Sequence, residues 1–288
     1  MRAFLLYQTD THGGHKLGLL NPATEIFDED PDGLYKVFTP KLTAVQEWLW
    51  HDVYIPGLDQ VARIANGAPI AIMHGGDSTH GVHHPEQLIT TSLASQITIA
   101  NNNLKPALEL PNVKALRMMM GTGVHEFGEG ASAQLVTSQL RPVYPGIDMR
   151  VLYHNLAEVT GVRIDCAHHG PGPGSRTWLR GNVARFYLRD IMFQEILDGR
   201  DPPDLVLRGH VHEYVHVTEM IMAKGEEVWG RLVVCPSMCG LGDYGRKATR
   251  SAYVLRCGMV LFAIENRKIV DVIPLIESAD LRTREVIF

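Results

Sequence analysis

Long apolar runs, paired cysteines and an excess of positive charge are all missing from this 288-residue sequence. The first apolar stretch, residues 3–7, runs straight into Gln8-Thr9-Asp10, and nowhere does an apolar segment reach the length of a membrane span. A signal peptide and a membrane partner are therefore not expected, and a cytoplasmic location is. Four cysteines, at 166, 235, 239 and 257, are too few for a disulfide scaffold. Their spacing, C-P-S-M-C included, lacks the C-x-x-C pairs of a zinc knuckle, so reduced core thiols are expected. A net charge of −5 provides no global basic field for nucleic acid. Neither G-x-x-x-x-G-K-[ST] nor G-x-S-x-G occurs, which sets aside P-loop and serine-hydrolase chemistry. The stretch GLGDYG (240–245) matches G-x-G-x-x-G formally. It follows a proline with no βαβ unit around it, so it is expected to be a glycine-rich rim, supported by Arg246, Lys247 and Arg250.

What the chain does have is histidine, 14 in all, gathered into short clusters. Strands and helices alternate, which favours an α/β class in a single domain over 1–288. Strands are expected at 3–7, 68–73 and 113–120, and a helix is expected to open at Thr39-Pro40 with Leu42, Val45 and Leu49 on one face. A second helix carries Ile89, Leu93 and Ile97, and a third runs over about 176–197. MRVLYHNL and GVRIDCA read as a strand pair around Glu158 to Gly161. The segment 35–66 reads as a helical insert and 213–288 as a β-rich C-terminal part.

The clusters fall where these strands end: Asp10-Thr11-His12, Gly75-Gly76-Asp77, Gly121-Thr122-Gly123-Val124-His125-Glu126, His168-His169-Gly170 and Gly209-His210-Val211-His212. Carboxyl ends of strands form the edge of an α/β sheet where sites are built, so five such loops would converge. Mixed carboxylate and imidazole donors suit first-row transition metals. If Asp10-Thr11-His12 is extended, its two outer side chains leave one face and both reach one ion; His210 and His212 have the same spacing. Asp77 could bridge two ions with its two oxygens, and two ions roughly 3.5–4 Å apart clamp a phosphoryl group.

The ordered set D-x-H, G-D, G-T-G-V-H-E, H-H-G, G-H-V-H resembles the calcineurin-like metallophosphoesterase superfamily over positions 10 to 212. The resemblance implies a sandwich of two mixed β-sheets flanked by helices and a dinuclear site at the strand ends. It implies Asp10, His12 and His212 on a first ion, Asp77 as the bridge, and His168 and His210 on a second. His169 remains open as the ligand in place of His168, or as a substrate contact. Two divalent ions are implied, Mn2+ first, with Fe, Zn, Ni or Mg as alternatives. The implied activity is phosphoester hydrolysis by a metal-bridging hydroxide.

The third motif departs from the family's Gly-Asn-His-Asp/Glu. Thr122 stands in the asparagine position, and the histidine comes at His125 after an added glycine and valine. His125 is either the general acid and oxyanion stabiliser or itself a second-metal ligand, and Thr122 is at best a weak donor. Arg176, with Arg180 behind it, is a candidate phosphate contact at a helix start. Arg185 and Arg189 are expected on the surface, as are His80, His83 and His84. His15 and Lys16 read equally as an anion contact or a solvated loop, and His216 as structural. A phosphodiester is slightly favoured as substrate, nucleotides and nucleic-acid ends included. A phosphomonoesterase and a non-catalytic metal-binding protein of the same fold are the alternatives. The stretch with Trp48, Trp50 and Tyr54 is open as a helical cover or a surface for homo-oligomers.

Overall fold

The computed structural model describes residues 2–29, 32–128, 130–172, 179, 181–242 and 253–286. The strand β1 (Arg2–Gln8) shows how the layers arise. Its side chains alternate across the pleat, so Phe4 and Leu6 enter one apolar cluster while Leu5 and Tyr7 enter another. Such a strand has both faces covered.

Six strands form the first sheet, in the order β13-β12-β1-β4-β5-β6. Here β4 is Ile70–His74, β5 Val113–Met119, β6 Asp148–Leu152, β12 Val254–Glu265 and β13 Lys268–Asp280. The strands β1, β4, β5 and β6 are parallel, and β12 and β13 add antiparallel pairs at one edge. The second sheet has the order β10-β11-β9-β8-β7, from β7 (His154–Val159), β8 (Val162–Ala167), β9 (Leu205–Arg208), β10 (Val215–Ala223) and β11 (Glu226–Val234). Both sheets are mixed, as expected.

Between the sheets Leu5, Tyr7, Met73 and Phe262 of the first meet Ile164, Cys166, Leu207 and Val233 of the second. The outer face of the first sheet is covered by α2 (Ile55–Ala65), α3 (Leu93–Leu108) and α4 (Ala131–Leu140). On the outer face of the second lies α5 (Asn182–Leu197), whose Ala184, Leu188 and Met192 pack on Val206, Val215 and Leu232. The order of layers is helix, sheet, sheet, helix. No helix among the described residues is long and apolar enough to cross a membrane.

Several element boundaries differ from the sequence expectation. The stretch 149–156 is two strands: β6 closes the first sheet, the chain turns at the exposed Tyr153, and β7 opens the second. The expected pair around Glu158 to Gly161 is β7 with β8. The first helix does not open at Thr39-Pro40. It is α1 (Ala44–Trp48), where Thr43 and Gln46 cap one another reciprocally, followed by a π-helical stretch at Leu49–Tyr54. The segment expected to be helical from 35 begins as β3 (Tyr35–Phe38), paired with β2 (Ile26–Glu29). Ile89 lies before α3, which Ser92 caps. Helix α5 starts at Asn182, and the expected start at Arg176 lies outside the described residues.

Candidate metal centre

The carboxyl ends of β1, β4 and β5 in one sheet and of β8 and β9 in the other carry all the predicted metal ligands. Backbone hydrogen bonds join these loops side by side. Asp10 N–H donates to the Gly76 carbonyl at 3.0 Å, His12 N–H to that of Asp77 at 3.0 Å, and Gly209 N–H to that of His168 at 2.9 Å. Two glycines permit the approach. A Cβ on Gly121 would overlap the Asp77 carboxylate, and one on Gly209 would come within 2.8 Å of Asp10 Oδ2.

The ligand-bearing segments are not extended, contrary to the sequence expectation for Asp10-Thr11-His12. Asp10, His12, Asp77, His210 and His212 all have positive φ, of 53°, 45°, 52°, 70° and 55°. Left-handed backbone, and not strand alternation, turns their side chains to the site. Each such residue costs on the order of 1 kcal/mol, and Asp and His enter this region more readily than most.

Two groups result. In the first, Asp10, His12 and His212 offer donor atoms within 4.8 Å of one another. Asp10 Oδ2 accepts hydrogen bonds from Thr9 Oγ1 at 2.6 Å and from the His210 N–H at 3.0 Å. Its Oδ1 is buried without a hydrogen-bond donor. His212 Nε2 at 3.3 Å and His12 Nε2 at 3.8 Å face that oxygen, and these two nitrogens lie 3.2 Å apart.

In the second group, His168 Nε2 lies 3.2 Å from Asp77 Oδ2 and 3.1 Å from Thr122 Oγ1, which is 3.3 Å from His210 Nδ1. His168 Nδ1 donates to the Gly75 carbonyl at 2.8 Å, which leaves Nε2 turned to the carboxylate. Asp77 Oδ1 accepts from the Thr122 N–H at 2.6 Å. The other oxygen, Oδ2, is the one that His168 Nε2 faces. An oxygen of Asp10, one of Asp77 and a nitrogen of His168 also group within 4.8 Å, so the two halves adjoin. His212 groups with Asp10 and His12, and His210 with His168, so the two histidines divide between the halves.

The electrostatics ask for a cation. Asp10 and Asp77 are buried, and among the described residues neither has a lysine or arginine in ion-pair range. Burial alone would raise the Asp10 carboxyl, but the His212 and His168 imidazoles hold it below the usual range. Burial likewise opposes protonation of His168, yet Asp77 and Asp10 outweigh it and carry its pKa up to about 9. Buried carboxylates with no lysine or arginine in range among the described residues, one with an orphaned oxygen, and imidazole nitrogens aimed between them fit metal ions.

His125 does not join the second group. It lies with His12 and His80, its ring 4.8 Å from that of His12, and its Nδ1 donates to the His80 carbonyl at 2.7 Å. Its neighbour Glu126 is buried and braces the loop, accepting from Ser132 Oγ, from the Ala133 N–H at the start of α4, and from the Gly121 N–H. His168 is buried against Asp77, whereas His169 is exposed, 4.6 Å ring to ring from His210. Arg176 and Arg180 lie outside the described residues, as do Arg246, Lys247 and Arg250 of the expected rim.

Three histidines take places the sequence reading missed. His80, expected on the surface with His83 and His84, is half-buried in the cluster, while the other two are exposed. His15 is not a solvated loop: it is buried, accepting the Leu17 N–H and facing Gln87 Oε1. His74 ends β4 beneath the site, with Nδ1 accepting from the Gly76 N–H and Nε2 3.4 Å from Thr11 Oγ1. Burial lowers its pKa to about 4, so it stays neutral. Its place directly before Gly75-Gly76-Asp77 was the available signal.

No protein-family model matches the chain, and no curated protein matches it in sequence.

Proposed function

We propose that this chain is a metal-dependent phosphoester hydrolase that works with two divalent transition-metal ions, Mn2+ before Fe, Zn, Ni or Mg, and prefers phosphodiesters to monoesters. The observation that carries the reading is the adjoining pair of buried carboxylates, Asp10 and Asp77, each faced by imidazole nitrogen. The ordered resemblance to the calcineurin-like metallophosphoesterases supports the same chemistry. Asp10, His12 and His212 would hold one ion, His168, Thr122 and His210 the other, and Asp77 would be shared between them. Ions so bound lower the pKa of a coordinated water and offset charge on the attacking and leaving oxygens.

The chain's own residues supply position and protons. With Nδ1 tied to the His80 carbonyl, His125 keeps Nε2 free beside the first group. There it can hydrogen-bond a phosphoryl oxygen or protonate the leaving oxygen. A cysteine nucleophile is ruled out, because all four thiols are buried and burial pushes their pKa values up. On this reading water attacks phosphorus directly, and trapping a phosphorylated histidine or aspartate during turnover would overturn it.

The preference for a diester follows from the fixed charge. Lys16 donates to the Glu86 carbonyl, Arg189 pairs with Glu219, and the buried Arg208 pairs with Asp165 at 2.6 Å. Among the described residues these three cations are engaged elsewhere and add no dedicated clamp for a monoester dianion. Hydrolysis of bis-aryl and mono-aryl phosphates by the Mn2+-loaded protein tests this. Faster diester turnover is expected; a strong monoesterase preference reverses the substrate class, and no turnover with both ions bound leaves a metal-binding protein without this activity.

A further inference from the structure

His80 stands behind the first group of ligands and touches two of the site residues in different ways. Its ring Nδ1 lies 3.1 Å from His12 Nδ1, while the other nitrogen of His12, Nε2, faces His212 and Asp10. A neutral imidazole carries one N–H and one lone pair. If Nε2 of His12 is lent to an ion, Nδ1 carries the hydrogen and needs an acceptor, and His80 Nδ1 is the atom in range. Metal-bound histidines generally rest on a carboxylate, a carbonyl or water; this one rests on a second imidazole.

His80 is itself held in place. Its N–H is shared between the Gly13 carbonyl and Gln96 Oε1, each at 3.1 Å. Its ring lies 4.3 Å from that of His15, and both nitrogens of His15 are taken up, by the Leu17 N–H and by Gln87 Oε1. The His80 carbonyl accepts from His125 Nδ1, and Thr79 Oγ1 returns a hydrogen bond to the His125 carbonyl at 2.7 Å.

We propose that His80 is a positioning residue for His12: its ring accepts the His12 Nδ1 hydrogen and so fixes Nε2 toward the first ion. The inference rests on the metal-binding part of the function proposed above. The rings of His12, His80 and His125 also group closely enough to suggest a third ion. That arrangement would require His12 to give up both ring hydrogens while the first ion is bound, so the ring of His80 is a brace and not a ligand.

The test is Mn2+ uptake by the metal-free full chain, followed by equilibrium dialysis, for wild type, His80→Ala and His80→Asn. Wild type should take up two ions. His80→Ala should weaken one of them by about 10–100-fold and leave the other unchanged, which also reports an intact fold. His80→Asn, whose amide oxygen can stand where Nδ1 stood, should recover most of that loss. Unchanged binding in His80→Ala would overturn the inference, as would equal loss at both sites or no rescue by asparagine. A third bound ion in wild type, absent from His80→Ala, would replace the brace by a ligand. Wild type that binds two ions yet hydrolyses no phosphoester would remove the enzyme reading and leave this test intact; wild type that binds none overturns both.

Discussion

The two halves of the cluster use the same residue types and are closed differently. In the first, Asp10 and His12 are both buried, and all three donors are carboxylate or imidazole. In the second, Asp77 and His168 are buried but His210 is exposed, and the remaining donor is the Thr122 hydroxyl. Backbone strain is divided unequally as well. Every donor of the first half has positive φ, whereas in the second only Asp77 and His210 do. A neutral hydroxyl is a poorer donor than imidazole, and an exposed ligand exchanges more readily with water. For the two-ion site proposed above, the comparison predicts that the first ion is held firmly and the second exchanges.

The largest effect should come from the residue the halves have in common. Asp77→Asn removes a buried charge that faces His168 and lies beside Asp10. Loss of both ions, and a fall in phosphoester turnover on the order of 10³-fold or more, is the expected outcome. Metal content measured beside the rate checks it. Two ions retained at normal affinity would mean that the halves are independent and that Asp77 joins nothing.

His125→Ala comes next, because His125 borders the first half without belonging to the metal-ligand set. Turnover should fall by about 10²–10⁴-fold, the usual worth of a positioned acid, while both ions stay bound. Loss of an ion from this variant would transfer His125 from proton donor to ligand and give the first half a fourth donor.

Much of this asymmetry was hidden in the sequence, although the mixed α/β sheets and the meeting of the aspartate- and histidine-bearing loops were largely legible. The strand ends could be placed because residues such as Phe4 to Tyr7 form buried runs that stop abruptly at polar, glycine-rich loops. Tyr153 gave no warning that the chain changes sheets there. The residues on either side are equally good strand formers, and no glycine or proline marks the break. The left-handed backbone of Asp10 and His12 was equally silent, because the residue types that tolerate it are the types that bind metal. His80 escaped notice since its burial comes from contacts distant in sequence: Gly13, Gln96, and the ring of His15. Local pattern records propensity and alternation, and it carries no record of which loops will lie side by side.

The smallest and sharpest change is Thr122→Asn. The Thr122 N–H donates to Asp77 Oδ1, and this backbone contact survives any side-chain replacement other than proline. Its hydroxyl sits 3.1 Å from His168 Nε2 and 3.3 Å from His210 Nδ1, where an amide oxygen would make a stronger donor to an ion held by those rings. Thr122→Asn should therefore tighten the second ion by a few-fold, roughly one kcal/mol at most, and leave the first unchanged. Thr122→Val, which keeps the shape and removes the oxygen, should shift the second ion the opposite way. Paired Mn2+ isotherms for the two variants read this directly. Equal shifts in both ions would show that the loop acts on the site as a whole. No shift in either variant would take Thr122 out of the ligand set and leave its N–H as its only contribution.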